Sequence, residues 1–375
     1  MFSGPAVTRW VDLGRALGLQ AFEPTAGYGP GANFRQVKRT LGIPTPGKVD
    51  FTHWFYGRWR ETEVTVLMFE QGSGSRSTTY SAAIARVDPP LFLGLAITPH
   101  AWIRLFETED VRVGHFATDD ALHIQGADPR RVASLLAPGD PAAWSILQRT
   151  IGLKALDGFC VSDSAVAAWK EASSANLADI PSWLDQTTAL ASELGARGRA
   201  LLRTPRERAQ EDEWQRFANA NGFRFEAARM RLSAPSTQLE IALETEGDSF
   251  RTAVTIGFPR PIDVGFTVRS TQLPSFLQGL FSQDIRVGDP EFDDLFCVTG
   301  YPEPYVRALL ARPRLLAALK YVGARTTEVQ MNHLQLFFRV PGPSPTAPHL
   351  AELAELARSA AGDLFREVAA IGPFR

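Results

Sequence analysis

Apolar residues at Trp10, Leu13 and Leu17 recur at helical spacing, and Gly18 follows as a residue able to end that helix in a left-handed cap. From Asp50 the period changes to two. His53–Trp59, Glu63–Glu70 and Thr78–Val87 read as three antiparallel strands, with Gln71–Ser77 (QGSGSRS) as a flexible hairpin connection. Leu91–Thr98 is apolar enough for a buried strand, and a short helix is expected around Ala101–Phe106. Val111 and Val113 then suggest a brief strand ending at Gly114, a turn carries Asp119 and Asp120, and Leu122 with Ile124 points inward from the next strand. Asp128-Pro129 and Asp140-Pro141 each put an N-cap before a proline at the first helical position. The helices they start bury Val132, Leu135 and Leu136, and Trp144, Leu147 and Ile151. A hairpin about Ser162-Asp163 joins Ala155–Val161 to Ala165–Lys170, and Ile180–Leu202 is a long amphipathic helix.

This succession then occurs a second time. Asp110–Leu136 (DVRVGHFATDDALHIQGADPRRVASLL) and Asp284–Leu310 (DIRVGDPEFDDLFCVTGYPEPYVRALL) are identical at 10 of 27 ungapped positions, where unrelated segments would match at roughly two. The likeness extends outward. Trp214 and Phe217 repeat the opening helix, Ile262–Arg269 repeats the strand after Pro90, and Leu273–Phe281 parallels Ala101–Phe106. A hairpin about Asn332 joins Thr327–Met331 to Leu334–Val340, and Ala347–Val368 closes the second half as a helix. The sequence therefore predicts an α+β protein of two tandem homologous domains, each a mostly antiparallel sheet packed with helices, over 1–203 and 204–375. Arg203–Glu213 (RTPRERAQEDE) is charged and lacks apolar periodicity, so the boundary falls there, in a linker or the exposed start of a helix.

Composition narrows the classes. With 375 residues, 45% hydrophobic and 21% charged, the chain is long enough for two real cores. The net charge of −2 supplies no basic footprint for phosphates, so no nucleic acid is expected as a partner. Two widely spaced cysteines, Cys160 and Cys297, suit a reducing compartment. The most apolar run, Pro89–Phe106, is broken by Pro99, His100 and Arg104, so no transmembrane segment is expected and a cytoplasmic location is.

Candidate chemistry is sparse. No Gly-x-Ser-x-Gly elbow, HExxH, Walker loop or dinucleotide fingerprint occurs, and no cofactor is expected. The glycine-rich Thr25–Asn33 before a basic segment could cradle an anion, but the favoured reading is a surface loop with a solvated basic face. His115, Asp119, Asp120 and His123 face Asp289, Asp293, Asp294 and Cys297 in the second copy, and all are side chains that can ligate a divalent metal. Adjacent aspartates also form turns through their own backbone, which makes a structural role for Asp119-Asp120 and Asp293-Asp294 the competing reading. Cys160 lies in an apolar strand and reads as a packed thiol. Trp54, Tyr56, Arg58 and Arg60 would share one strand face, an aromatic and arginine composition typical of protein interfaces.

The pattern Gly57-Arg-Trp59-x-Glu61-x-x-Val64, together with Phe292-Asp-Asp294-x-Phe296-x-Val298-x-Gly300 before a Leu-Leu helix, resembles a bacterial domain family of unknown function. The resemblance implies one copy per half and a fold, with no activity to transfer. The expectation is a non-enzymatic interaction or scaffold protein that binds another protein. The alternative is a metal-dependent or other hydrolase using the acidic turns.

Overall fold

A computed structural model describes residues 12–22, 49–71, 78–99, 110–137, 139–172, 176–201, 203–246, 249–259, 262, 265–270, 285–342 and 346–371. The chain divides between Leu202 and Arg203 into two compact units. The glycine-rich stretch 25–33, the hairpin connection 72–77 and the segments 101–106 and 273–281 lie outside the described residues.

In the first unit the strands are β1 (Gln20–Phe22), β2 (Val49–Trp59), β3 (Thr62–Gln71), β4 (Thr78–Arg86), β5 (Ala96–Pro99), β6 (Leu122–Gln125), β7 (Gly158–Ser162) and β8 (Ala165–Glu171). They form an antiparallel sheet in the order β1-β2-β3-β4-β8-β7-β5-β6. The second unit contributes β9 (Arg224–Glu226), β10 (Arg231–Ala234), β11 (Leu239–Glu246), β12 (Ser249–Gly257), β13 (Gly265–Ser270), β14 (Phe296–Tyr301), β15 (Glu328–Asn332) and β16 (Gln335–Pro341). Its order is β9-β10-β11-β12-β16-β15-β13-β14. Counted by rank within each unit, the two orders are the same. The fold is thus α+β, with two similar domains, and each strand of one has a counterpart in the other.

The helices correspond as well. The first unit carries α1 (Phe116–Asp119), α2 (Pro129–Leu135), α3 (Pro141–Gly152) and α4 (Ile180–Ala200). The second carries α5 (Pro205–Asn221), α6 (Pro290–Leu295), α7 (Glu303–Leu310), α8 (Pro313–Arg325) and α9 (Ala347–Ile371). The N-caps follow from sequence: Asp128 accepts the Arg131 N–H and Asp140 accepts the Ala142 N–H, each before a proline that has no N–H to lose. The charged stretch after Arg203 is the start of a helix. Thr204 and Glu207 form a reciprocal capping box on α5, which anchors that helix before its first buried residue, Trp214.

One face of the first sheet packs on α4 through Val64, Val66, Ala83, Ala85, Phe159, Val161, Val166 and Ala168 against Trp183, Leu184, Leu190, Ala191 and Leu194. The opposite face carries a second buried cluster that includes Leu67, Phe69, Ala82, Ile84, Cys160 and Trp169. Both faces are apolar, so these strands read as continuous hydrophobic runs rather than as strict alternation.

Three sequence expectations are corrected. Leu91–Thr98 is not one strand: β5 begins only at Ala96, and Phe92 and Gly94 take positive φ. The reason is Asp163, whose carboxylate is 1% exposed and accepts the N–H groups of Leu93, Gly94 and Leu95 at 3.0, 2.8 and 3.0 Å. Those amides are satisfied by a side chain and need no ladder. Val111 and Val113 do not form a strand either, because only the Val111 N–H reaches across, to the Ile124 carbonyl. Asp119 closes a short helix, α1, where a turn was expected.

Candidate functional site

The candidate site lies in the first unit, at the end of the sheet where β2 turns into β3. Trp59 pairs with Thr62, leaving Arg60 and Glu61 as a two-residue loop, and both take positive φ, 47° and 68°. Two consecutive left-handed residues match the right-handed twist of the flanking strands, yet such a loop ordinarily holds asparagine and glycine. Neither residue here is of that kind, so the loop is held from outside. Asp185 on α4 accepts the Trp59 indole N–H at 2.7 Å with one carboxylate oxygen and an Arg60 guanidinium N–H at 2.9 Å with the other. Thr62 and Ser192 hydroxyls lie 3.3 Å apart beside it.

Alternation along β2 places the expected surface residues. Phe55 is buried, and a Cβ at Gly57 would press on Leu19, so the odd positions face the helices. Tyr56 and Arg58 are exposed on the other face, Tyr56 at 49%. Trp54 belongs to the same strand, but its side chain is outside the described residues. Arg60 departs from the expectation: it sits in the turn, and its guanidinium goes to α4 instead of joining Tyr56.

Behind the hairpin is a pocket of about 200 Å³ lined by four arginines, Arg58, Arg60, Arg86 and Arg199, together with Glu61, Glu63, Thr62, Asp88, Ala191 and Ser192. Arg86 pairs with Glu63 at 2.6 Å, and Arg199 donates to the Asp88 backbone carbonyl at 3.0 Å. Among the described residues Arg58 meets Glu61 alone, at 3.4 Å, and Glu61's side chain is 93% exposed. Sequence reasoning missed Arg86 and Arg199. They are far from Arg58 in the chain, and only the strand order β2-β3-β4 and the last turns of α4 bring them together.

The second unit fills the corresponding place. Val87 and Phe258 occupy equivalent positions, since each donates its N–H to the turn carbonyl of the neighbouring hairpin, Ser164 and Leu334. Gly257 therefore stands where Arg86 does, and the Gln238 side chain lies directly over it. Leu184, Thr187, Thr188, Ala191, Leu194 and Gly195 are buried along α4 at the spacing of Leu350, Leu353, Ala354, Ala357, Ala360 and Ala361 along α9. That spacing sets Phe365 in the place of Arg199, and Phe365 packs edge-on against Phe258 at 5.4 Å.

The acidic turns are structurally committed. Asp119 accepts the N–H groups of Val113 and Gly114 at 2.9 and 3.2 Å; Asp293 accepts those of Val287 and Gly288 at 2.8 and 3.1 Å. Gly114 and Gly288 take φ of 80° and 95°, conformations that a Cβ would oppose, and this explains why both units have glycine there. His115 lies 3.0 Å from the Thr118 hydroxyl and against the Trp144 ring. Its counterpart Asp289 caps α6 through the Phe292 N–H, and that bond, helped by Lys320, holds the Asp289 carboxyl below the usual carboxylate range. His123 is buried beside Asp110 at 3.4 Å. Asp120 and Asp294 are exposed on the surface. Among the described residues no group of three or more His, Cys, Asp or Glu side chains is placed to hold a metal ion. His115, Asp119, Asp120, His123, Asp293 and Asp294 are therefore not gathered into the centre that their residue types suggested. Cys160 is fully buried, and desolvation pushes its thiol up to about 12.

No family model matches the chain, and no curated protein matches it. Among solved structures, the crystal structure of the mycobacterial trehalose monomycolate transport factor A, TtfA, aligns over 45% of this chain and 99% of its own, at 12% identity and a TM-score of 0.29. That likeness carries no argument. No helix among the described residues is long and apolar enough to cross a membrane.

Proposed function

We propose that this chain is a binding protein without catalytic activity, built from two copies of one domain, and that it engages a protein partner at the hairpin end of its first unit. One observation carries the reading. The four-arginine pocket beside the exposed Tyr56 and Arg58 occurs in the first unit, whereas the second unit, with the same strand order, closes that place with Gln238, Phe258 and Phe365. The fold alone does not call for the pocket. Exposed tyrosine and arginine are also the residue types enriched where interfaces concentrate their energy.

The test is a photoreactive amino acid placed at Tyr56 in cells that make the protein, with the adducts identified by mass spectrometry. The expected result is cross-linking to one defined protein, lost on Arg58→Ala while the protein remains folded. Scattered adducts that Arg58→Ala leaves unchanged would refute the reading.

A further inference from the structure

Resting on that reading, we infer that the pocket receives the carboxylates of an acidic segment of the partner. A guanidinium offers five N–H donors in a fixed fork, and each of the four here is engaged by one described neighbour. The charges are unequally compensated. Arg60 is held by Asp185 and Arg86 by Glu63, both through short ion pairs. Arg199 is held by a neutral backbone carbonyl, and Arg58 by a glutamate that is almost wholly in water. Arg58 and Arg199 thus keep most of their donors for an incoming anion.

Glu61, Glu63 and Asp88 line the pocket alongside the arginines, so the ligand is chosen by the geometry of the donors more than by net charge. A carboxylate matches the planar fork of arginine and can be bound by two parallel hydrogen bonds. Displacing Glu61 from Arg58 requires only that an exposed side chain swing into water, a small cost for a surface ion pair. The hydroxyls of Thr62 and Ser192 lie on the pocket wall as further donors.

The experiment uses the full chain and a fluorescein-labelled, glutamate-rich peptide, followed by anisotropy at low salt. The glutamate peptide should bind and a matched glutamine peptide should not. Arg58→Gln with Arg199→Gln should weaken binding by about tenfold or more, as expected when two charge-assisted contacts are lost. Ser192→Asp, which places a negative charge on the wall without removing an arginine, should weaken it as well. Arg112→Gln, an exposed arginine elsewhere in the unit, should leave binding unchanged. The inference is overturned if the glutamate peptide fails to bind, if the variants bind it as wild type does, or if inorganic phosphate at equal concentration competes better than acetate does. None of these outcomes touches the Tyr56 cross-link, so the partner reading stands or falls separately.

Discussion

Asp163 offers the sharpest measurable test of how the first unit is held together. Its carboxylate is sealed from solvent and accepts three backbone N–H groups within 3.0 Å, those of Leu93, Gly94 and Leu95. Replacing it with alanine leaves three buried donors without their acceptor, and each such donor costs about 1–3 kcal/mol. The sum is roughly 3–6 kcal/mol, taking the lower part of the range for two of the three because the Leu91–Leu95 loop can relax toward water. A domain's whole stability is about 5–15 kcal/mol, so Asp163→Ala should remove about a fifth of it or more. Asp163→Asn keeps one oxygen for two of the donors but turns an NH₂ group toward the third, and should cost about half as much. The readout is urea unfolding followed by tryptophan emission. Seven of the eight tryptophans precede Arg203, so the signal reports chiefly on the first unit. A midpoint shift equivalent to less than about 1 kcal/mol for Asp163→Ala would show that the loop does not depend on this carboxylate, and the account of why β5 starts late would fail with it.

The hairpin loop gives a prediction of opposite sign. Arg60→Asn with Glu61→Gly relieves two left-handed residues that cost about 1 kcal/mol each and forfeits two surface ion pairs, Arg60–Asp185 and Arg58–Glu61, together worth less, so the melting temperature of the first unit should rise by about 2–4 °C. A fall would mean that the Arg60–Asp185 contact outweighs the backbone strain. Cys160 supplies a pH test. Its thiol is raised from an ordinary value of 9.0 to about 12, so the stabilisation is fully present below pH 9 and is lost as pH rises toward 12, where the unfolded thiol ionises and the folded one does not. In native protein at pH 8, iodoacetamide should modify the partly exposed Cys297 and spare Cys160, as measured by peptide mass spectrometry; labelling of both at similar rates would contradict the burial.

Much of this fold could be read from the chain. The hairpins, the Asp-Pro helix starts and the long closing helices follow local rules that a few neighbouring residues enforce, and the repeated segment reflects the same Asp119 and Asp293 hydrogen bonds in each unit. What escaped was non-local. The run Leu91–Thr98 has the composition of a strand, and only Asp163, some seventy residues later, explains why its first half is a loop. Asp119-Asp120 offered both a metal-ligating reading and one in which the aspartates bond their own backbone, and the second describes one carboxylate of each pair. The pocket was half visible. Arg58 stands on β2 and Arg60 in the turn that follows it, but Arg86 and Arg199 join them only through the sheet order and the length of α4.

The two units also separate what the fold requires from what is particular to each. In the cross-strand row Ala82, Trp169 and Gly158, the indole lies over the glycine so closely that a Cβ there would overlap it. The equivalent row in the second unit is Ala253, Arg339 and Glu328, where a buried guanidinium bonds Glu328 at 2.6 Å and holds Glu244 through two further contacts of 2.8 and 2.6 Å. One large and one absent side chain in the first unit are matched by an arginine and a glutamate of comparable combined bulk in the second, with the ladder beneath them in the same register. The sheet tolerates either solution because what it demands of that row is filled volume and paired charge, not a given residue type. By the same logic, Phe365 and Gln238 would serve the first unit's hairpin end as well as they serve the second's. Four arginines stand there instead, around an open pocket, and packing alone gives no reason for them.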